Sequence, residues 1–576
     1  DPFDDCTVYF GSQFVHKSTN CGDSWEVISP DLTTNDTAKQ KQVESGGLTI
    51  DATQAENFTS IISIAPSRVK QGVIWVGTDD GNLQLTRDGG KTWENKIGKI
   101  KGVPTGSWIP HIEASPVNEG EAYVVINNYR RNDWKPYVLR TTDFGNTWVN
   151  LVNSSKVNGY ALAIVQDPVE PKLLFLGTEQ GLYFSIDSGT NWTKWAKDYP
   201  SVSTMDLKIH PREGDLIIGT FGRAAYILDD ITPLRELAKQ GISLLDKPFH
   251  VFNAQDAMLT SFKSIQGVRF TADAHYKGQN RSRAAMINFY LKEVKKEEEE
   301  KDDKKGKGKE EEKKKKPVDK KKERYKGKVK VDVINNTGDT IRTYSFKPDT
   351  GLNRTYWGMN RDLIRLPKYG EIDENADLPG GRSVMPGAYT VALTYGDYSG
   401  STTVNVTKDF REDVSDEDLK AKGDAHQALM HETELATACF QRLKDINKVV
   451  SRVDQHLENL EVDSVKEDIE KSGEEITKKT GKLMDLFMEP EDFEGYDHIT
   501  LRIMDMLWTA ADYIESSKGA PTKTATDYSA YAIEELHKIV AKVNKLVAED
   551  WTAYQKKVEA AEVSLFKTFD PIEHKK

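Results

Sequence analysis

Four octapeptides with one shared pattern constrain the fold of this chain more than any other feature of its sequence. They read STNCGDSW (18–25), TRDGGKTW (86–93), TTDFGNTW (141–148) and SIDSGTNW (185–192). A small hydroxyl residue comes first, Asp or Asn third, Gly fifth and Trp last. An Asp or Asn side chain accepts backbone N–H bonds within a turn, and Gly tolerates the positive φ that such turns require. The pattern therefore predicts a repeated tight turn.

The pattern shared by the octapeptides predicts a structural role, because it contains neither a nucleophile nor a set of metal ligands. The tryptophan is expected to start the next strand and to pack against apolar neighbours. The predicted structural residues are the turn acceptors Asn20, Asp88, Asp143 and Asp187 and the packing residues Trp25, Trp93, Trp148 and Trp192.

The sequence around the octapeptides repeats as well. An apolar strand, a proline and a second strand ending in Gly-Thr precede them, as in IISIAPSRVKQGVIWVGT and LAIVQDPVEPKLLFLGT. Four-stranded units that recur at roughly 45–70 residues indicate β-propeller blades. Complete blades are predicted at about 59–97, 107–152 and 159–197. A first blade without its first strand precedes them, and a last blade without an octapeptide follows.

The octapeptides resemble the Asp boxes, also called BNR repeats, of sialidases, of sortilin (Vps10)-like propellers and of some endoglucanases. Residues 1–247 are similar to the C-terminal portion of bacterial proteins of the glycosyl hydrolase BNR-repeat type. The resemblance implies a β-propeller that is incomplete at its N-terminus, and it leaves the activity open. We expect further blades upstream because an exposed sheet edge invites aggregation. A chain that starts natively with an open edge is the alternative.

The order of strands in such a blade sorts its turns onto two faces. The octapeptides are third-to-fourth turns, whereas second-to-third turns and the connections between blades form the opposite face. We expect ligands on that opposite face, because its loops carry carboxylates, guanidinium groups and aromatic rings. A solvated loop surface with structural ion pairs is the alternative. The candidate ligand-binding residues are Asp79, Asp80, Trp108, His111, Tyr129, Arg130, Arg131, Glu179 and Arg223.

Arg223 is also a candidate by resemblance. The segment GTFGRAAYILDD (219–230) resembles a segment of related propellers, with Phe221 where those proteins usually have His. The resemblance implies that Arg223 points toward the central channel. A guanidinium that caps backbone carbonyls is the alternative.

Residues 248–408 alternate like the strands of an antiparallel sandwich. GLNRTYWGMN (351–360) and LPGGRSVMPGAYTVALTYG (378–396) resemble the Ig/fibronectin-like module that follows many bacterial BNR propellers. Trp357 is expected in its core, with carbohydrate binding as the alternative. The charged insert 292–324 has almost no apolar residues and cannot bury enough surface to order itself. We expect it to extend a hairpin between INFYLKEV and KVKVDVI.

Residues 409–576 have a helical pattern. Ser415 and Asp416 offer capping groups, and apolar residues from Leu429 to Leu460 recur at spacings of three, four or seven. Three further apolar stripes follow, and packing them together gives a bundle. The predicted fold class is therefore multidomain and mainly β: a partial Asp-box β-propeller, an Ig/fibronectin-like β-sandwich and an α-helical bundle.

The motifs favour binding over catalysis. No G-x-S-x-G, H-E-x-x-H or zinc-ligand spacing occurs, so we expect no metal and no other cofactor. The favoured function is a non-catalytic binding or scaffold protein whose ligand is a protein, a peptide or a glycan. The alternative is a BNR-type glycoside hydrolase, sialidase- or endoglucanase-like, whose site is completed by missing blades. Its pair of carboxylates would come from Asp79, Asp80 and Glu179 by position.

Cysteines and charge bear on location and partners. Cys6 and Cys21 flank the hairpin TVYFGSQFVHKSTN at equal distances from its turn, so a disulfide between them is geometrically allowed. Such a bond belongs to an oxidising compartment, and the resemblance also implies an extracytoplasmic protein: periplasmic, on the outer-membrane surface or secreted, with membership of a cell-envelope complex as one option. With a net charge of −12 and no broad basic face, nucleic acid is not an expected partner. No apolar stretch approaches the ~20 residues of a transmembrane helix.

Overall fold

The computed structural model describes residues 1–40, 58–260, 278–294, 324–373, 376–457, 463–490, 493–495 and 501–561. Residues 8–228 contain five consecutive antiparallel sheets, which we number from first to fifth. Their strands are β1 (Val8–Gly11), β2 (Val15–Ser18) and β3 (Glu26–Val27); β4 (Ile61–Pro66), β5 (Ile74–Thr78), β6 (Leu83–Thr86) and β7 (Glu94–Asn95); β8 (Trp108–Ala114), β9 (Ala122–Asn128), β10 (Asp133–Thr141) and β11 (Val149–Asn150); β12 (Ala161–Gln166), β13 (Leu174–Thr178), β14 (Gly181–Ser185) and β15 (Thr193–Lys194); and β16 (Thr204–Ile209), β17 (Leu216–Thr220) and β18 (Ala225–Leu228).

Three complete four-stranded sheets lie where the sequence predicts them, with a three-stranded sheet on each side. The second strands of the complete sheets, β5, β9 and β13, are buried along their whole length, because these sheets pack on both faces. Buried strands of this kind have nearly continuous apolar sequences. The first strands β4, β8, β12 and β16 contact one another in that order. This succession of sheets around shared first strands is a β-propeller arrangement.

The octapeptides form the third-to-fourth turns. In the second sheet, Asp88 Oδ1 accepts a hydrogen bond from the Thr92 backbone N–H at 2.9 Å, and Thr86 Oγ1 accepts one from Gly90 at 2.9 Å. Hydrogen bonds from Thr92 lower the pKa of Asp88 to about 2. The fifth-position glycines all have positive φ, between 77° and 101°. The corresponding acceptors in the other turns are Asn20, Asp143 and Asp187.

The octapeptide tryptophans of the second, third and fourth sheets contact the preceding sheet. Trp93 Nε1 donates a hydrogen bond to the Ile28 carbonyl at 3.1 Å. Trp148 packs edge-to-face on Trp75 of the preceding sheet, with ring centroids 6.0 Å apart. The motif therefore determines how neighbouring sheets pack, and it lies away from the turns between second and third strands.

A disulfide joins Cys6 and Cys21, whose Cα atoms are 4.3 Å apart. It closes the β1–β2 hairpin at its open end. Cys439 is a buried free thiol in the helical part of the chain.

Two further sheets pack around one core in residues 249–408. Trp357 is fully buried there, and its Nε1 donates a hydrogen bond to the Asn360 carbonyl at 2.8 Å. It is thus a core residue, as predicted. The strands are β19 (Phe249–Val251), β21 (Ala285–Leu291) and β24 (Gly351–Trp357) in one sheet; β20 (Ala257–Leu259), β22 (Val329–Ile334), β23 (Thr340–Phe346), β27 (Gly387–Tyr395) and β28 (Tyr398–Lys408) in the other; and the short pair β25 (Asn360–Asp362) and β26 (Gly380–Ser383).

The charged segment 292–324 does not extend a hairpin, so that prediction was wrong. The strand before it, β21, pairs with β19 and β24, whereas the strand after it, β22, pairs with β23 and β27. The segment therefore connects two different sheets. Alternating hydropathy identifies strands but does not identify their partners. Residues 295–323 lie outside the described residues.

A polar junction joins the propeller to the sandwich. Asn288, on β21, is buried and donates a hydrogen bond from Nδ2 to Asp230 Oδ2 at 2.6 Å. Arg354, on β24, donates to Asn288 Oδ1 at 2.9 Å and to the Asp229 carbonyl at 2.7 Å. Because buried polar groups are costly without partners, this network fixes the end of the last propeller sheet on the sandwich.

The C-terminal part is a helical bundle, as predicted. Ser415 caps its first helix, since its Oγ accepts a hydrogen bond from the Asp418 N–H at 3.1 Å. The apolar stripe of that helix buries Leu429, Phe440 and Leu443 in the main core of the bundle. The helices are Thr232–Gln240, after the propeller, and Asp416–His456, Asp463–Met484, Ile503–Ser516, Lys523–Leu546 and Thr552–Ala560, in the bundle, with a π-helical turn at Val547–Trp551 and 3-10 turns at Ile97–Lys99, Tyr129–Arg131 and Ile242–Asp246.

Candidate functional site

The propeller face opposite the octapeptides is built from the turns β5–β6, β9–β10, β13–β14 and β17–β18 and from the connections between sheets. Each of these turns joins the second strand of a sheet to its third. They therefore lie at the end of the sheet remote from the octapeptides. In the connection between the first two sheets, residues 41–57 lie outside the described residues.

Aromatic rings collect where the β9–β10 turn meets the fourth sheet. Tyr129 stacks on Tyr160 with ring centroids 4.4 Å apart, and Trp134 lies 5.6 Å from Tyr160. The Arg130 guanidinium lies 3.5 Å from the centroid of the Trp108 ring. We call these five residues the aromatic cluster. Trp134 is 49% exposed, so it presents an apolar ring surface to solvent.

The local backbone holds Trp134 in place. Tyr129–Arg131 form a 3-10 turn that ends at Asn132, whose φ of +61° is left-handed. The β9–β10 pairing then shifts register between Asp133 and Tyr137, and irregularities of this kind re-aim side chains. Trp134 Nε1 donates a hydrogen bond to Asn132 Oδ1 at 2.9 Å. The indole is thus oriented by its own turn.

A polar groove of about 490 Å³ lies beside Trp134. Its volume is within the range of small-molecule binding sites. Asp133, on its wall, accepts a hydrogen bond from the Tyr137 hydroxyl at 2.8 Å, which fixes one carboxylate. The lining residues are Asn132, Asp133, Trp134, Lys135, Ser154, Asn158, Gly159, Glu179 and Gln180.

Asp79 and Asp80 are buried and hold loops together. Asp79 Oδ1 accepts a hydrogen bond from the Ser60 N–H at 2.9 Å. Asp80 Oδ2 accepts from the Thr34 N–H at 2.6 Å and from the Thr34 hydroxyl at 2.7 Å. Burial raises the pKa of Asp79 to about 6. Both carboxylates are therefore buried in contacts between loops, whereas the sequence interpretation expected them to be available to a ligand.

His111 and Arg131 also make structural contacts. His111 lies within β8, where its Nε2 donates a hydrogen bond to the Ile164 carbonyl at 2.8 Å. Burial lowers the pKa of His111 to about 4, so it links two sheets as a neutral ring. Arg131 donates to the Thr105 carbonyl at 2.9 Å and to the Gly106 carbonyl. It caps the connection that leads into β8.

Glu179 and Arg223 are on the predicted face but not together. Glu179 lines the groove, whereas Arg223 is exposed in the β17–β18 turn of the last sheet. Arg130 stacks on Trp108, Arg131 bonds backbone carbonyls, and Arg223 is in another sheet. The three arginines therefore do not form one site for a ligand carboxylate.

Sequence reasoning did not single out Trp134 or Tyr160. Trp134 lies in the segment NNYRRNDWKP (127–136), the same second-to-third turn that contains the candidates Tyr129, Arg130 and Arg131, and this position was the available signal. Tyr160 immediately precedes β12 and reads as the start of an apolar strand. Its contact with Tyr129 depends on how two sheets pack, which one sequence does not reveal.

Across the residues that the structure describes, no group of three or more His, Cys, Asp or Glu side chains is placed to hold a metal ion. Over the same ranges, no helix has both the length and the hydropathy that crossing a membrane requires.

Among known proteins, this chain is similar to several solved structures at low sequence identity. No family model matches the sequence, and no curated protein matches it. Among solved structures, the GH74 xyloglucanase from Xanthomonas campestris is 18% identical, with a TM-score of 0.31, over 40% of this chain and 36% of that one. An ancestral GH74 enzyme is 14% identical, with a TM-score of 0.31, over 70% and 45%. YCF48 bound to D1 peptide is 20% identical, with a TM-score of 0.22, over 30% and 56%.

This chain therefore covers about a third to just over half of the length of those structures. They include two GH74 enzymes and YCF48 bound to D1 peptide. A likeness at these TM-scores carries no conclusion about this chain, whose β-propeller arrangement rests on its own sheets.

Proposed function

We propose that this protein binds a glycan, without catalysis, at the aromatic cluster and the groove beside it. The observation that carries the proposal is Trp134, whose ring is half exposed, held by Asn132 and adjacent to the groove. A sugar ring has an apolar face and polar edges. Its face would stack on the indole while its hydroxyl groups reach the polar side chains of the groove.

The chemistry of the groove supports an uncharged polar ligand. Lys135 offsets one of the two carboxylates, Asp133 and Glu179. The amides of Asn158 and Gln180 supply both donors and acceptors, which is what hydroxyl groups require. A protein or peptide is the alternative occupant of the same surface.

A glycoside hydrolase is the second candidate function, because two carboxylates line one groove. Such enzymes need an acid and a second carboxylate at a set separation. Asp79 and Asp80 are committed to loop contacts, which leaves Asp133 and Glu179. Asp133 already accepts a hydrogen bond from Tyr137, and this favours a role in positioning ligand over a role in chemistry.

The proposed location is outside the cytoplasm: periplasmic, at the outer-membrane surface or secreted. The Cys6–Cys21 disulfide supports it, since such bonds persist in oxidising compartments and are rare in reducing ones. A glycan-binding face would suit a component of a cell-envelope complex.

The test is a glycan array, followed by titration of one bound oligosaccharide into the full chain by isothermal calorimetry. Trp134→Ala should weaken binding by about tenfold, because loss of an aromatic contact costs about 1.4 kcal/mol. The matched control is Trp508→Ala, since Trp508 has a similar exposure but lies on the bundle. Its affinity should equal that of the unaltered protein.

The other outcomes are separable. Equal affinities of the two tryptophan variants would refute the site. Hydrolysis of the bound oligosaccharide that disappears in Glu179→Gln would make the protein a glycoside hydrolase. Binding on a peptide array alone, lost in Trp134→Ala, would keep the site and reject the glycan.

A further inference from the structure

Another cavity lies where the propeller meets the sandwich, and we call it the junction cavity. Its volume is about 810 Å³, within the range of small-molecule sites, which occur preferentially between domains. Arg212 comes from the β16–β17 turn, Arg235 from the helix Thr232–Gln240, and Met258 and Met286 from β20 and β21 of the sandwich. The junction cavity shares no described lining residue with the groove of the proposed glycan site.

Basic side chains dominate the charged part of this lining. Two acidic residues, Glu213 and Asp256, lie among them. The basic residues of the described lining are Arg212, Arg235, Arg281, Arg283, Lys408 and Arg411. A cavity with this lining favours a ligand that carries negative charge.

Two of the arginines are held by carboxylates from outside the cavity. Arg235 Nε donates a hydrogen bond to Asp167 Oδ2 at 2.9 Å, and Asp167 is fully buried. Arg281 Nη1 donates to Asp215 Oδ2 at 2.9 Å. Neither aspartate is among the described residues that line the cavity. Guanidinium groups fixed in this way lose little side-chain freedom when a ligand binds.

Arg212 and Arg235 have N–H groups that no described residue accepts. Arg212 Nε donates to Glu213 Oε1 at 2.6 Å, and neither of its terminal nitrogens has a hydrogen-bond partner among the described residues. Arg235 directs both Nε and Nη2 at the single oxygen Asp167 Oδ2, which leaves Nη2 buried and without a hydrogen bond in the described part of the chain. Because a guanidinium only donates, the complementary ligand atom is an acceptor.

Gly214 brings these two arginines to one wall of the cavity. A Cβ at this position would lie 3.0 Å from Arg235 Nη1 and 2.6 Å from Gln255 Nε2, so the glycine lets both polar groups approach the backbone closely. Gly214 lies two residues after Arg212 in the β16–β17 turn. The Arg235 guanidinium is therefore packed against the turn that carries Arg212.

Apolar side chains form another part of the lining. Met258, Met286 and Phe410 contribute to it. The Phe410 ring is 69% exposed, and its centroid lies 5.3 Å from the guanidinium carbon of Arg212. An apolar surface thus adjoins the available donors, an arrangement that fits a charged head group attached to an apolar chain.

We propose that the junction cavity binds a carboxylate that carries an apolar chain. The carboxylate accepts hydrogen bonds from Arg212 and Arg235, since charge-assisted bonds of this kind are strong and are often bidentate at arginine. The chain lies against Phe410 and Met258. This is a second binding site, separate from the aromatic cluster.

The charge balance selects a carboxylate over a phosphate group. Besides the two acidic lining residues, further aspartates neutralise four of the six basic ones. These ion pairs are Arg235–Asp167, Arg281–Asp215, Lys408–Asp416 and Arg411–Asp409. A lining close to neutrality accommodates one negative charge, whereas a doubly charged group would also face repulsion from these carboxylates.

The test is isothermal titration of butanoate, hexanoate, octanoate and decanoate into the full chain. Affinity should rise with chain length, because each added methylene buries more apolar surface. Arg212→Gln should weaken octanoate binding by at least about tenfold. The Arg212 side chain is 63% exposed, so this variant should fold normally. The matched control is Arg452→Gln, on an exposed position of the helix Asp416–His456, and its affinity should be unchanged.

A second variant tests the apolar part of the site. Phe410→Ala should weaken decanoate binding by at least about fivefold and leave butanoate binding nearly unchanged, because only a longer chain extends along the ring. Equal losses for both ligands would overturn the assignment of the chain to this wall.

Three other outcomes would overturn the proposal as a whole: no binding of any carboxylate in the series, an affinity for octanamide equal to that for octanoate, or inorganic phosphate binding as tightly as octanoate. The last would show attraction of an adventitious ion only. Equal octanoate affinities of Arg212→Gln and the unaltered protein would reject the site. Trp134→Ala should bind octanoate normally, so failure here leaves the proposed glycan site untouched.

Discussion

Glu113 is a buried carboxyl group in the propeller, and its surroundings disfavour the ionised form. It lies on β8 and is buried, and its Oε1 has no hydrogen-bond partner among the described residues. Burial raises the pKa of Glu113 to about 7. A buried carboxylate is costly to ionise, so the folded protein holds its proton to a higher pH than the unfolded chain does.

Glu113→Gln should therefore change the pH dependence of stability. Near pH 4 both folded and unfolded chains of the unaltered protein hold the proton, and the variant should have a similar free energy of unfolding. As the pH rises to about 7, the unfolded chain ionises first and stability is lost. Above pH 7 the variant should be more stable by about 3 kcal/mol, as measured by urea denaturation at pH 4.5 and pH 8. A difference that does not depend on pH would contradict this account.

The site residues show which side chains of a binding face can be predicted from sequence. Residue type and turn position placed Tyr129, Arg130 and Glu179 on the face that carries the groove. The same reasoning put Asp79 and His111 there, although both are buried in contacts between loops or sheets. A carboxylate or imidazole in a loop looks the same in sequence whether it faces solvent or accepts a neighbour's hydrogen bond.

The octapeptide turns are the elements that the sequence predicted best, because their geometry depends on local hydrogen bonds and on φ. Their glycines differ in how closely they approach the preceding sheet. A Cβ on Gly90, at φ +101°, would lie 2.6 Å from the Ile28 carbonyl oxygen, whereas a Cβ on Gly89, at φ +74°, would have nothing within 4 Å.

Gly90→Ala and Gly89→Ala form a matched pair that separates backbone strain from interface packing. Gly89→Ala should destabilise by about 1–2 kcal/mol, the cost of a left-handed L-residue. Gly90→Ala adds a clash with backbone and should cost about 3 kcal/mol or more. Chemical denaturation followed by circular dichroism measures both. Equal losses would mean that the turn is not pressed against the preceding sheet.

The sequence did not predict which strands pair with each other across the sandwich. Alternation located β21 and β22 correctly, but their assignment to one hairpin failed because the two strands belong to opposite sheets. The register shift in β10, which re-aims the side chains before Tyr137, likewise has no local sequence signature.

For the whole molecule, the junction between propeller and sandwich determines whether the domains unfold together. Asn288 bonds both Asp230 and Arg354, so one amide links the last propeller sheet to two strands of the sandwich. Domains that share a well-packed polar interface behave as one cooperative unit, while weakly joined domains unfold separately.

Asn288→Ala should uncouple the two domains. It leaves the buried Asp230 carboxylate without one of its donors and should cost about 1–3 kcal/mol. Differential scanning calorimetry should then show separate transitions for propeller and sandwich. The control is Asn405→Ala, an exposed amide bonded to Asp256, which should shift stability by less than about 0.5 kcal/mol. A single unchanged transition in Asn288→Ala would show that apolar contacts suffice.

The Cys6–Cys21 bond joins the two strands of the β1–β2 hairpin, and β1 contacts β4 of the second sheet. Closing a loop of about 15 residues contributes about 3 kcal/mol by restricting the unfolded chain. In a thiol-rich environment the first sheet would lose this contribution, so the lifetime of the folded N-terminal hairpin depends on the redox chemistry of its surroundings.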